Sequence, residues 1–405
     1  MPNVVFVAPF FLEATVRFID ATAGLPQVRL GLVSQDPPDR LPPGLRHRLI
    51  SHIQVGDGLD AQTIADACRR IGGELGSIDR LMGALEELQV PLGEVRDALH
   101  IAGMNAETAR NFRDKSRMKD VLQQAGVPCA RHTGVNSEED VWRFAESTGY
   151  PLVVKPRAGS GARNTIRVNN ADELRECMRW DSPAAGGMMI EEFVTGEEHS
   201  FDSVFLDGRL SWWSVNHYFP GPLEVLENPW IQWCVILPRE TDRPEYAQIR
   251  AEADKALHAL GMRTGLSHME WFRRADGTVA ISEVGARPPG AQFVTLISHA
   301  HQIDLHREWA RLMVFDEFPC PERKYAAGAA FLRGQGSGRV RAIHGLEQAQ
   351  KEVGPVVVEV KLPKEGQRPS GTYDGDGYVI VRHPETAVVK HALDRIIRTI
   401  RVELG

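Results

Sequence analysis

Glu270 and Glu283 flank an Asp276-Gly277 pair inside the stretch 267–292, which reads as strand, tight turn, strand and basic loop. Asp-Gly is a strong hairpin signal, because glycine accepts the positive φ that such turns need. Centred on that pair, the register sets Glu270 opposite Glu283, and Phe272 opposite Ile281, on one side of the ribbon. Like charges directly opposite each other repel. Either the two carboxylates splay into solvent, the ordinary fate of glutamate, or a cation lies between them. A hard cation such as Mg²⁺ takes one or two carboxylates and shares its remaining positions with phosphates. The chemistry on offer is metal-assisted handling of a phosphate.

Cations that could face a phosphate stand upstream. Within 113–128 the residues Met118, Val121, Leu122 and Ala125 share a helical face, Gly126 ends it and Pro128 forbids continuation. Lys115 sits at the start of that helix, against its dipole. It is either solvated or, with the free helical N–H groups, turned to a phosphate. Tyr150–Lys155 reads as a strand ending in a lysine, followed by the loop RAGSGARN (157–164) and a strand at 165–168. Glycines let backbone amides approach an anion closely, although any long hairpin carries such a loop. No Gly-Lys-Ser/Thr follows, so this is not a Walker loop. No Gly-x-Gly-x-x-Gly follows the first strand either, which argues against a dinucleotide-dependent dehydrogenase.

These residues need a scaffold. Val4–Ala8 and Val28–Val33 are apolar runs on either side of a helix-like 14–24, the β-α-β start of a small doubly wound unit. Residues 60–110 look mostly helical. Ser137 begins a helix with Asp140 in the acidic capping position. Residues 188–194 form a strand, and 195–210 alternates around an Asp207-Gly208 turn. Trp212, Trp213, Tyr218, Phe219, Trp230 and Trp233 then crowd together, as a local aromatic core or as a substrate surface. Residues 244–261 are a helix with a glycine stop, and 294–315 are helical in large part. His299 and His301 have no third ligand in view and read as structural or exposed. The tail carries short apolar segments, glycine-rich turns and a last helix over 384–400.

A chain of 405 residues holds about two or three domains. At 42% hydrophobic and 25% charged it has the composition of a soluble globular protein. A net charge of −7 argues against a nucleic-acid partner. Five scattered cysteines without a CxxC suit a reducing cytosol and argue against zinc. The N-terminus lacks the features of a signal peptide, and no apolar run approaches the ~20 residues of a membrane span. The expectation is a cytoplasmic protein with no membrane segment.

The ordered set is distinctive: a small α/β unit, Asp114-Lys115, VVKP (153–156), a glycine-rich loop, EEFVTGEEHS (191–200), and the two glutamates with Arg287 behind them. It resembles the ATP-grasp superfamily, which includes D-alanine–D-alanine ligase, biotin carboxylase and the L-amino acid and carnosine-type ligases. The resemblance implies an α/β (α+β) ATP-grasp fold. It places a Rossmann-like pre-ATP-grasp domain at 1–110 and the ATP-grasp domain at 111–320. The latter would divide into a small lid subdomain at about 130–195 and a large subdomain at about 196–320, before a β-rich closing module at 321–405. Lys115 and Lys155 would contact ATP phosphates, and the loop around Ser160 and Gly161 would fold over them. Glu191–Val194 would be the adenine hinge, read through the carbonyl of Glu192 and the N–H of Val194. Glu198 would hold the ribose hydroxyls. Glu270 and Glu283 would hold Mg²⁺, one or two ions, with Mn²⁺ able to substitute. Arg287 would steady a carboxylate or acyl phosphate, with Lys155 beside it in catalysis. Many relatives are dimers, and the oligomeric state stays open.

One departure stands out. The family's Asn between the second Glu and the Arg is Gly285 here, which puts full two-metal geometry in doubt. The sequence therefore points to an ATP-dependent carboxylate–amine ligase acting through an acyl phosphate on small molecules, amino acids among them. The alternatives are an ATP-binding or sensing module without catalysis, and a carboxylating enzyme of the biotin carboxylase kind, whose expected sequence after the arginine is replaced by PPGAQF. The substrate side is expected from the N-terminal unit and the aromatic segment 211–233.

Overall fold

A computed structural model of the chain describes residues 1–159, 161, 164–179, 187–228 and 230–405. The N-terminal strands form a parallel sheet in the spatial order Ser51–Gln54, Arg29–Ser34, Asn3–Val7, Arg80–Met82. Asn3–Val7 is buried along its length, as a strand covered on both faces must be. Val5 and Val7 face helices Ala61–Leu75 and Gln89–Leu99, while Val4 and Phe6 face the rest of the molecule. There Trp309 receives Phe6 and Phe18 edge-on, at 6.2 and 4.8 Å between ring centroids. Residues 60–110 are not purely helical. Arg80–Met82 adds a strand to the sheet, and three residues are too short a run to show a period.

A second, antiparallel sheet runs His132–Gly134, Met188–Glu192, Leu152–Pro156, Ile166–Val168. Helix Glu138–Thr148 packs on it, capped by Ser137, whose hydroxyl accepts the Asp140 N–H. The largest sheet has eight antiparallel strands. Its order is Val279–Gly285, Gly265–Arg273, Glu197–Leu206, Arg209–Phe219, Cys234–Leu237, Ala326–Leu332, Gly377–His383, Val357–Lys361. Strands of the tail thus continue the sheet that carries the two glutamates: Ala326–Leu332 pairs directly with Cys234–Leu237.

The period of two along this sheet positions the site. Phe201, Phe205, Met269 and Trp271 pack under helix Ala247–Leu260. Their neighbours Glu198, His268, Glu270 and Phe272 line a cleft on the opposite side. The helical run at 294–315 is two helices, Phe293–His301 and Leu305–Phe315. Asp304 separates them by capping the second, accepting the His306 and Arg307 N–H groups. His301 is buried and donates from Nδ1 to the Pro321 carbonyl, a structural role. Among the described residues, no helix is long and apolar enough to cross a membrane.

Candidate active site

The hairpin puts Glu270 opposite Glu283, by a route that the simple register does not contain. Its turn holds three residues, with the Arg274 N–H donating to Thr278 O at 2.9 Å and Gly277 at φ +83°. That shifts the pairing by one, so Phe272 faces Ala280, not Ile281. A bulge at Ser282 then inserts one extra residue and restores the register at the glutamates. The bulge also re-aims the Ser282 carbonyl, which accepts the Lys119 ammonium at 3.0 Å.

Lys115 and Lys155 both reach this cleft. Asp114 caps the helix Lys115–Gln124, accepting the Ser116 and Arg117 N–H groups, and binds Arg157 at 2.8 Å. Lys115, held at that N-terminus, lies 2.8 Å from Glu283 and donates to the Gly159 carbonyl at 2.9 Å. Lys155, at the end of its strand, lies 2.6 Å from Glu191. The other oxygen of Glu191 lies 3.2 Å from Lys119, which is fully buried. Burial alone would raise the Glu191 pKa, but Lys119 and Lys155 together bring it down to about 2. Burial likewise opposes the Lys155 ammonium, and Glu191, Glu283 and Glu270 outweigh it.

The two facing carboxyls are driven apart. Burial and then Glu283 push Glu270 up, while Lys115 and Lys155 overcome burial and hold Glu283 low. A half-buried pair of facing carboxylates could seat a divalent cation. Among the described residues, no cluster of three or more His, Cys, Asp or Glu could hold a metal. A divalent cation here would find two carboxylates and would take its remaining positions from a ligand or water, as Mg²⁺ does.

The other expected residues gather at the same cleft, whose volume is about 590 Å³. Glu191, Glu192, Val194, Glu198, Gly161 and Arg287 all line it. The Glu191 side chain is committed to the two lysines, and the Glu192 carboxylate is held by Arg131 at 2.7 Å. Glu198 is pushed well up by burial and by Glu270. It lies so close to Gly221 that a Cβ there would stand 2.3 Å from its Oε2. Arg287 binds Glu86 through Nε and the Pro288 carbonyl through Nη1 at 2.9 Å. Ser160 lies outside the described residues.

Three residues that line the cleft, His268, Glu86 and Tyr373, and the fully buried Lys119 behind them escaped the sequence reading. Lys119 stands one helical turn after Lys115, and that spacing was its signal. His268 precedes Glu270 by two positions on the same face; its Nδ1 pairs with buried Asp202 at 2.7 Å and its Nε2 lies 3.9 Å from Glu270. Glu86 and Tyr373 come from distant segments and carried no local signal. Glu86 also gives Gly285 a meaning. A Cβ at Gly285 would already touch Glu86 Oε2 at 3.5 Å and Arg287 Cγ at 3.8 Å, so a longer side chain would meet the Glu86–Arg287 pair. Of the aromatic segment, Tyr218 and Trp233 line the cleft. Trp212 donates to Pro321 O in the core, Trp213 stacks on Phe201, and Trp230 is exposed.

Comparison with known proteins bears on the domain and its fold. Residues 120–302 match the family model of the ATP-grasp domain. An L-arginine-specific L-amino acid ligase of Bacillus subtilis is 26% identical over 274 residues, which cover 65% of this chain and 64% of the relative. The match thus spans less than two thirds of that relative's length. The L-amino acid ligase of Bacillus licheniformis superposes with a TM-score of 0.80 at 21% identity, over 100% of this chain and 99% of that one. N5-carboxyaminoimidazole ribonucleotide synthetase of Thermotoga maritima superposes with a TM-score of 0.72 at 19% identity, over 100% of each chain. With the paired glutamates and the two lysines set around one cleft, residues 120–302 of this chain are identified as an ATP-grasp domain.

Proposed function

We propose that the protein is an ATP-dependent carboxylate–amine ligase that joins two small molecules, at least one of them an amino acid, through an acyl phosphate. The observation that carries the proposal is the meeting of Glu270 and Glu283 with Lys115, Lys155 and Arg287 in one cleft. In this reading the Glu192 carbonyl and Val194 N–H bind adenine, and Glu198 binds the ribose hydroxyls. Lys115, Lys155 and the glycine loop hold the phosphates as cationic and N–H donors. Glu270 and Glu283 would hold Mg²⁺, which would supply neutralisation of phosphate charge at the transferring group. Arg287, kept in place by Glu86, holds the substrate carboxylate. A carboxylate oxygen attacks the γ-phosphorus, the bond to the β-phosphate oxygen breaks, and ADP departs. The amine nitrogen then attacks the acyl carbon, phosphate leaves, and the nitrogen gives up a proton. Keeping water from the acyl phosphate falls to the enclosing walls of the cleft.

The test is Mg²⁺-dependent ADP release across a panel of amino acids, with products identified by mass. An amide product supports the ligase, and a carboxylated or thioester product moves the second step to another acceptor. ATP binding without turnover on any pair overturns the proposal and favours a nucleotide-binding module.

Gly221 supplies a narrower prediction. Its backbone, at φ −65° and ψ 152°, suits any residue, so Gly221→Ala is expected to fold normally. The added methyl group displaces the Glu198 carboxylate. The loss of the Glu198 hydrogen bond to the ribose raises KM for ATP about tenfold, with a smaller effect on KM for the amino acid. Steady-state kinetics in both substrates check it.

A further inference from the structure

The tail reaches the cleft through one loop. Ser370 donates its N–H to Asp376 Oδ1 at 2.8 Å and its hydroxyl to Gly375 O at 3.1 Å, and the Asp376 N–H donates to Leu332 O at 3.1 Å. These bonds fix the loop just before strand Gly377–His383. At Gly375, φ is +60° and a Cβ would stand 2.5 Å from Leu332 O, so the loop is closed against the sheet at a position only glycine can take. The loop carries Tyr373 into the cleft. Its ring meets Trp233 edge-on at 4.7 Å, and a Cβ on Gly161 would lie 3.7 Å from its Cε1. Trp233 continues into Tyr218 at 5.4 Å and Phe293 at 6.3 Å, and Phe293 reaches His268 at 5.5 Å. An aromatic wall therefore runs from the carboxylate pair to Tyr373. Trp233, Tyr218 and Phe293 are buried behind it, and Tyr373 is the member left partly open. Leu12 and Phe18 of the N-terminal unit line the same cleft.

We propose that Tyr373 determines substrate specificity: its ring packs against the side chain of a carboxylate substrate that is an amino acid with a large apolar or aromatic side chain, and closes that end of the cleft to water. The proposal rests on the ligase reading and names its substrate class. Aromatic pairs gain from edge and offset contacts beyond simple burial. A ring at this place also governs the fate of the acyl phosphate. When water instead of the amine attacks the acyl carbon, phosphate leaves, a proton is released and the original carboxylate returns. One ATP is then hydrolysed and no amide is made.

The test compares the wild type with Tyr373→Ala and Tyr373→Phe on phenylalanine, leucine, alanine, glycine and arginine, measuring ADP and amide in the same reaction. Tyr373→Ala is expected to raise KM for phenylalanine and leucine about tenfold and to leave KM for ATP within about twofold. The ADP-to-amide ratio rises severalfold, and Tyr373→Phe, which keeps the ring, returns both quantities most of the way. Thermal melts of both variants separate loss of packing from loss of fold. A wild type that makes amide while Tyr373→Ala keeps the same substrate order and the same ratio overturns this inference alone. So does a wild-type preference for arginine that Tyr373→Ala does not alter. A wild type that makes no amide overturns the ligase reading and this inference with it.

Discussion

Glu283→Gln is expected to reduce Mg²⁺-dependent turnover about a thousandfold, an effect of ~4 kcal/mol on the transition state. The substitution keeps the shape of the side chain and removes its charge. It takes away one of the two carboxylates and also the 2.8 Å partner of Lys115. Glu270→Gln is expected to lower turnover comparably, but the two variants part on stability. Glu270 is pushed up by burial and by Glu283, so its ionised form is a cost to the fold at neutral pH. A neutral glutamine relieves that cost and raises the melting temperature. Glu283 is held low by Lys115 and Lys155, so its ionised form stabilises the fold above the ordinary carboxylate pKa, and Glu283→Gln lowers the melting temperature. Kinetics and thermal melts without Mg²⁺ check the pair. Equal shifts of the two melting temperatures would contradict the opposed environments described here.

The fold was readable because its elements announce themselves locally. The apolar runs of the first sheet, the Ser137 cap, the Gly261 stop and the Asp-Gly turns each act within a few residues. The glutamate pair was readable for a less tidy reason. A three-residue turn and the bulge at Ser282 each shift the register by one, and the two shifts cancel at Glu270 and Glu283 but not at Phe272. No periodicity announces a bulge, since its cause lies elsewhere: the Pro128 carbonyl takes the Ile281 N–H at 2.8 Å, and Lys119 takes the Ser282 carbonyl. The same holds for Glu86 and Tyr373. Each is one polar or aromatic residue in an unremarkable stretch, and only the packing of the first sheet and the tail around the large sheet brings them to Arg287 and Trp233.

Lys119→Met is expected to be the most destabilising single change among the charged residues around the cleft, at about 3–5 kcal/mol, the range for removing one partner of a buried ion pair. Lys119 is fully buried between Glu191 and the Ser282 carbonyl. Methionine fills much of its volume and answers neither partner. Glu191 then depends on Lys155 alone, so the lysine assigned to the phosphates becomes the sole counter-ion of a buried carboxylate, and KM for ATP rises as stability falls. The pH dependence separates this account from a packing defect. In the wild type the Glu191 pKa is depressed from 4.5 to about 2. Its contribution is therefore complete above about 4.5 and is lost as pH falls through that value toward 2. In Lys119→Met the depression shrinks, and protonation of Glu191 removes the uncompensated charge. The gap in melting temperature between the two proteins narrows as pH falls below about 4.5. A gap of constant size from pH 7 to pH 3 would mean that Lys119 acts by filling space, and that Glu191 does not need it as a counter-ion.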